Sequence, residues 1–229
     1  MKNSSSSALH WTWKISAHNL IIRFAEPHRV LSWASLGADA KRAETIVNHQ
    51  VKPHDRNAVE RPRQYLTRLA NLLRLKPGTV VAMMTAADVR KTAYAEARRG
   101  RLVVGAWCTA GCSNALRIGD PATEFTHYGT INLAVVINQR LSGAAMVEAL
   151  TMATEARVVA VQEAGIMSTR SRRLATGTGT DCIVVASPSS GRPQKYCGKH
   201  TLLGELIGKA TLRSCARALR TRASPNTRS

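Results

Sequence analysis

The fold turns on two stretches, Leu102-Val103-Val104-Gly105-Ala106-Trp107-Cys108 and Thr130-Ile131-Asn132-Leu133-Ala134-Val135-Val136-Ile137-Asn138. Each is a short apolar run rich in Val and Ile and flanked by polar residues, the pattern of a strand buried on both faces. The residues between them carry Gly, Ser, Asn, Asp and Pro and show no helical period. Two consecutive buried strands with no helix between them break the alternation of a doubly wound fold. The pattern predicts an α+β fold, one domain with a mixed sheet packed with helices, the alternative being an α/β layered sandwich.

The remaining elements follow from the same logic. Residues 20–24 and 30–34 read as a hairpin turned at Glu26-Pro27-His28-Arg29, and 37–60 as polar and irregular. A helix fits 61–75, with Pro62 in its first turn and Leu66, Leu69, Ala70 and Leu73 as its stripe. Residues 79–85 and 181–186 read as buried strands, 87–98 as a short helix, and 142–164 and 201–222 as long helices. Residues 1–8 are expected to be disordered, 9–222 to form the domain, and 223–229 to be a basic polar tail.

The 229 residues are 44% hydrophobic, enough for a sizeable core, but only 4% aromatic. Ala, Val, Leu, Ile and Met must fill it. No apolar run reaches the ~18 residues of a membrane-spanning helix. Met1-Lys2-Asn3 and four serines, then Lys14 and His18, do not make a secretory signal. Cys108, Cys112, Cys182, Cys197 and Cys215 are odd in number and scattered, as expected of free thiols in a reducing cytoplasm. They offer no zinc-finger spacing, so no metal site is expected.

Lys and Arg number 33 against 14 Asp and Glu, a formal charge of +19. Such a charge favours anionic partners, nucleic acid among them. The basic residues are spread along the chain, and the denser regions, 52–76 and 209–228, lack the interleaved aromatics of a base-stacking surface. His28, His49 and His200 fall in irregular or terminal stretches and read as surface residues.

Four segments carry the candidate chemistry. In 109–120, Ser113 and Asn114 can donate and accept hydrogen bonds where Gly111 lets the backbone turn tightly, or else cap a turn. In 129–132, Asn132 is an amide inside an apolar strand and needs a partner. In 154–157, Glu155 lies on a polar helix stripe, as a site residue or simply solvated. Arg157 lies on the apolar side and needs an anion, Asp120 or Asp181, or a substrate cleft. In 175–181, alternating Thr176, Gly177, Thr178, Gly179 and Thr180 make a loop rich in N–H and hydroxyl groups. It lacks the Gly-Lys-Ser/Thr ending of a P-loop and precedes a strand, so it suits an anion or oxyanion cradle.

Together these segments resemble the adenosylcobinamide amidohydrolase family of corrinoid salvage. The matching stretches are Thr109-Ala-Gly-Cys-Ser-Asn-Ala-Leu-Arg-Ile-Gly-Asp120, Gly129-Thr-Ile-Asn132, Thr154-Glu-Ala-Arg157 and Ala175-Thr-Gly-Thr-Gly-Thr-Asp181. Val30 to Gly37, Met84 to Asp88 and Gly198 to Thr201 support them, and the resemblance spans about residues 20–210. Two departures stand out: Gly37-Ala38 where the family has a Gly pair, and Arg157 where it usually has Lys. Arg does not act as a base, so 157 is expected to bind.

The resemblance implies hydrolysis of the amide joining aminopropanol to the corrin ring, giving adenosylcobyric acid for adenosylcobalamin synthesis. Asp120, Glu155 or Asp181 is then the acid/base, activating water or Ser113. Asn114, Asn132, Arg157, Thr176, Thr178 and Thr180 contact substrate. No cofactor is expected, since the cobalt corrinoid is the substrate. The competing expectations are a non-catalytic corrinoid-binding protein and a nucleic-acid-binding basic domain.

Overall fold

The structure is a computed structural model and describes residues 10–38, 40–52, 55–122 and 129–220. The expected disordered start (1–8) and basic tail (223–229) lie outside the described residues. Ten strands, in chain order, are β1 (Trp11–Ser16), β2 (Asn19–Ser32), β3 (Ala43–Gln50), β4 (Val80–Thr85), β5 (Ala93–Arg99), β6 (Leu102–Ala110), β7 (Ala115–Leu116), β8 (Ile131–Ile137), β9 (Gly177–Thr178) and β10 (Cys182–Pro188). The helices are α1 (Arg56–Glu60), α2 (Pro62–Leu72), α3 (Gly143–Glu163) and α4 (Leu202–Arg220).

Eight strands form one mixed sheet in the order β4-β3-β2-β10-β8-β6-β5, with β1 also paired to β2. The fold is α+β, as the pair of consecutive strands predicts: β6 and β8 are antiparallel neighbours. β8 and β10 run parallel, joined through α3.

The sheet folds back on itself through β2. The first half of β2 pairs with β1 and β3, and its second half pairs with β10. The register shifts between Arg23 and His28, where Pro27 sits at the irregularity. A proline cannot donate to a ladder, and a bulge is where it is tolerated. The two halves enclose a core of Leu20, Ile22, Ile46, Val81, Met83, Trp107, Val136 and Val184. Gly105 is in this core because a β-carbon there would lie 2.9 Å from both the Trp107 and Trp11 rings. Those indoles meet edge-on at 5.9 Å and 78°, closing β1 against β6.

The outer faces are covered by helices. Alternate residues Ile131, Leu133, Val135 and Ile137 of β8 point to α3 and α4, while Ala134 and Val136 point inward. α3 presents Ala145, Ala149, Ala153 and Ala160, small residues that let it lie close to the sheet. Its first turn is capped by Ser142, whose hydroxyl accepts from the Ala145 N–H at 3.1 Å. α2 covers the β3–β4 side with Leu66 and Ala70.

Four local expectations are corrected. Residues 20–34 are not a hairpin: one strand runs through the expected turn, and its hairpin partner is β1, across a turn with Ala17 at φ 50°. Residues 37–60 include β3, a central strand whose polar Asn48 and His49 are buried by bonding to other chain segments. Residues 87–98 are a short 3-10 turn and then β5, whose Ala93, Ala95 and Ala97 alternate inward. Finally, His28 and His49 are strand residues only 1% and 8% exposed, not surface side chains.

Candidate active site

The four segments singled out from the sequence converge at the start of β8 and β10. Asp181 is the hub. Its Oδ2 accepts from Arg157 of α3 and from the Thr178 N–H at 2.9 Å. Its Oδ1 accepts from the Ile131 N–H at 2.9 Å and from the Thr178 hydroxyl. The Arg157 and Asp181 side chains are 12% and 7% exposed, so this is a buried ion pair. Of the two partners the sequence allowed for Arg157, the structure selects Asp181. Gly177 is obligatory beside it: a β-carbon would fall 2.2 Å from Asp181 Oδ2 and 3.1 Å from the guanidinium.

The loop is then tied to its neighbours. The Thr180 hydroxyl donates to Gly129 O at 2.9 Å, so the 2.8 Å bond between Thr130 and Thr180 has Thr130 as donor. β7 and β9 pair Ala115 with Thr178 and Leu116 with Gly177, which brings the 109–120 segment alongside. Gly129 packs against that segment, where a β-carbon would lie 2.5 Å from Asn114 Oδ1 and 2.7 Å from Gly111 O.

Asn114 is 8% exposed, and neither its Oδ1 nor its Nδ2 has a hydrogen-bond partner. Arg157 Nε and Asn132 Oδ1 are also buried and unpartnered. Buried polar groups are normally satisfied, so this cluster fits a polar ligand or water. Ser113, next to Asn114, is exposed.

The other expected residues divide. Asn132 is a site neighbour by structure: its Nδ2 donates to Asn48 Oδ1 and Met84 O, both at 2.8 Å, and Asn48 donates to Thr109 Oγ1 at 3.0 Å. Thr176 is committed to the 109–120 segment, accepting from the Ile118 N–H at 2.8 Å. Asp120 accepts from the Arg117 N–H at 2.8 Å and from the Ser168 hydroxyl. Hydrogen bonds from Ser168, then Ser171 and Arg117, hold its carboxyl below the usual range. Glu155 is not brought to the hub. It lies on the exposed side of α3, paired with Lys199, because it is two residues and therefore about 200° from Arg157.

Beside the hub opens a cavity of about 300 Å³. Its walls include Trp33, Val59, Pro62, Met84, Thr130 and Thr180, with Asp181 and Cys182 at its inner end. Trp33 and Thr130 were not expected as site residues. Trp33 donates from Nε1 to Asp181 O at 2.7 Å. A half-exposed tryptophan just after a buried strand was the available signal. Burial pushes the Cys182 thiol up to about 11, so it is protonated at neutral pH. No group of three or more His, Cys, Asp or Glu among the described residues is arranged to hold a metal ion. No described helix is long and apolar enough to cross a membrane.

This geometry, a polar cradle of Thr, Asn and Gly around a buried Arg–Asp pair, is that of a site for an amide-rich or anionic ligand. Comparison with known proteins gives it a family. The family model for adenosylcobinamide amidohydrolase matches residues 4–227, nearly the whole chain. The chain belongs to the adenosylcobinamide amidohydrolase family. An uncharacterised protein of Methanocaldococcus jannaschii is 32% identical over 220 residues, covering 87% of this chain and 85% of that one. A crystal structure from Pyrococcus horikoshii overlaps 87% of this chain and 76% of its own, at 8% identity and a TM-score of 0.42, too loose to bear on function.

Proposed function

We propose that this chain hydrolyses the amide between aminopropanol and the corrin ring of adenosylcobinamide, releasing adenosylcobyric acid and aminopropanol. Family membership supports the reaction class. The structural observation that carries the reading is the convergence of all four segments on the Arg157–Asp181 pair, next to the unpartnered amide of Asn114. An amide side chain offers one donor and one acceptor. A corrinoid is fringed with amides, which match it group for group.

The roles divide by hydrogen bonding. Asp181 accepts four donors, two on each oxygen, which leaves it no site for a proton in flight. It holds the 177–181 loop, Arg157 and the Ile131 N–H in place, in a positioning role. Glu155, on the outer face of α3, takes no part. Asp120 is the remaining acid/base: ionised at neutral pH, it takes the proton as water attacks the amide carbon. Asn114 Nδ2 donates to the oxyanion, worth about 3 kcal/mol for a well-placed donor. Collapse breaks the C–N bond, and the Asp120 proton leaves on the amine. Ser113 has no hydrogen-bonded base among the described residues, which favours water as nucleophile.

Incubation with adenosylcobinamide tests the reading: free aminopropanol and corrinoid acid should appear in equal amounts. Tight corrinoid binding without aminopropanol would make the protein a non-catalytic binder instead.

A further inference from the structure

We infer that the cavity walled by Trp33 receives the adenosyl arm of the corrinoid, with the indole stacked on adenine. The inference rests on the amidohydrolase reading for the identity of the ligand.

Three observations carry it. The first is size. About 300 Å³ is at the low end for ligand pockets. It accommodates a nucleoside-sized group, and it is too small for a macrocycle with its amide arms. The second is the state of Trp33. Its side chain is 50% exposed, yet its ring is pinned by the Nε1 bond to Asp181 O. A fixed, half-exposed aromatic surface is ready for stacking at little entropic cost. The third is the pairing of wall chemistries. Val59, Pro62 and Met84 are apolar partners for a base, while Asp55 and Thr180 offer oxygen atoms to ribose hydroxyls. One residue joins the two regions: Asp181 holds Trp33 through its carbonyl and Arg157 through its carboxylate. An adenine seated on Trp33 therefore places the attached corrin edge beside the Asn114 cradle.

Equilibrium dialysis of the full chain tests this with three probes, 5′-deoxyadenosine, adenosylcobinamide and dicyanocobinamide, against the wild type, Trp33→Phe and Trp33→Ala. Trp33→Ala is expected to weaken both adenosyl probes about tenfold, in the range for base–aromatic stacking, and to leave dicyanocobinamide unchanged. Trp33→Phe keeps a ring but loses the Nε1 bond, and is expected to retain most of the affinity. Equal loss in Trp33→Phe and Trp33→Ala would assign Trp33 to loop positioning and overturn the stacking. Equal loss for adenosyl and dicyano forms would overturn the adenosyl assignment, as would no loss at all. Wild-type binding of 5′-deoxyadenosine through Trp33 with no corrinoid bound would leave the nucleoside site standing and remove the amidohydrolase reading.

Discussion

A β-carbon on Gly177 would sit 2.2 Å from Oδ2 of Asp181, so the buried carboxylate and the bare backbone require each other. The oxygen is held by Arg157 and the Thr178 N–H and has nowhere to move. Gly177→Ala is expected to lower stability by about 2 kcal/mol or more, in the range of overpacking, and to abolish turnover. Gly143→Ala, whose added carbon meets nothing within 4 Å, is the control and should be neutral or slightly stabilising. Urea midpoints of the two variants check this.

The ion pair predicts an asymmetry. Arg157→Met or Asp181→Asn alone removes one partner and leaves the other buried, which should cost about 3–5 kcal/mol. Arg157→Met combined with Asp181→Leu removes both charges and should recover part of that stability without recovering activity. A double variant as unstable as the sum of the singles would contradict the pairing, and denaturation of the full cycle measures it.

Asp120 and Ser113 separate by kinetics. Asp120→Asn should lower kcat about 10²-fold or more. Ser113→Ala should keep most of the activity, and a loss comparable to that of Asp120→Asn would restore a covalent serine mechanism.

Stability should fall on mild acidification. Burial, the largest cause in each case, lowers the pKa of His28 and His49 below the ordinary 6.5. For His49, His18 lowers it further and Asp55 opposes; for His28, the Glu26 carbonyl and carboxylate oppose and His10 lowers it. Both rings are therefore neutral in the folded chain when they would already be charged in the unfolded one. The unfolded state binds more protons below about pH 6.5. Stability is constant above that pH and declines as pH falls from 6.5 through the lowered folded values. Urea midpoints between pH 8 and pH 5 should show the decline, and His49→Gln should reduce its slope.

The sequence was most legible where one residue's surroundings lie nearby in the chain. β6, β8, α2, α3 and α4 show their period or apolar run directly, and their bounds differ by only a few residues from the expected ones. β3 was hidden because Asn48 and His49 look like loop residues. They are buried only because Thr109, Asn132, Asn19 and Tyr65, distant in sequence, bond to them. β5 was hidden by alanine, whose helix propensity competes with the two-residue alternation of Ala93, Ala95 and Ala97, and pairing with β6 decides it. At the site, Gly and Thr spacing exposed the 175–181 loop, and the apolar setting of Arg157 exposed its need for an anion. The saturation of Asp181 and the outward face of Glu155 depend on three-dimensional pairing that no local pattern encodes.

The most direct measurement is incubation with adenosylcobinamide in ¹⁸O-water, followed by mass analysis of the corrinoid. The account predicts adenosylcobyric acid carrying one ¹⁸O atom, free aminopropanol in equal amount, and neither product from Gly177→Ala. A corrinoid recovered at unchanged mass after binding would contradict it.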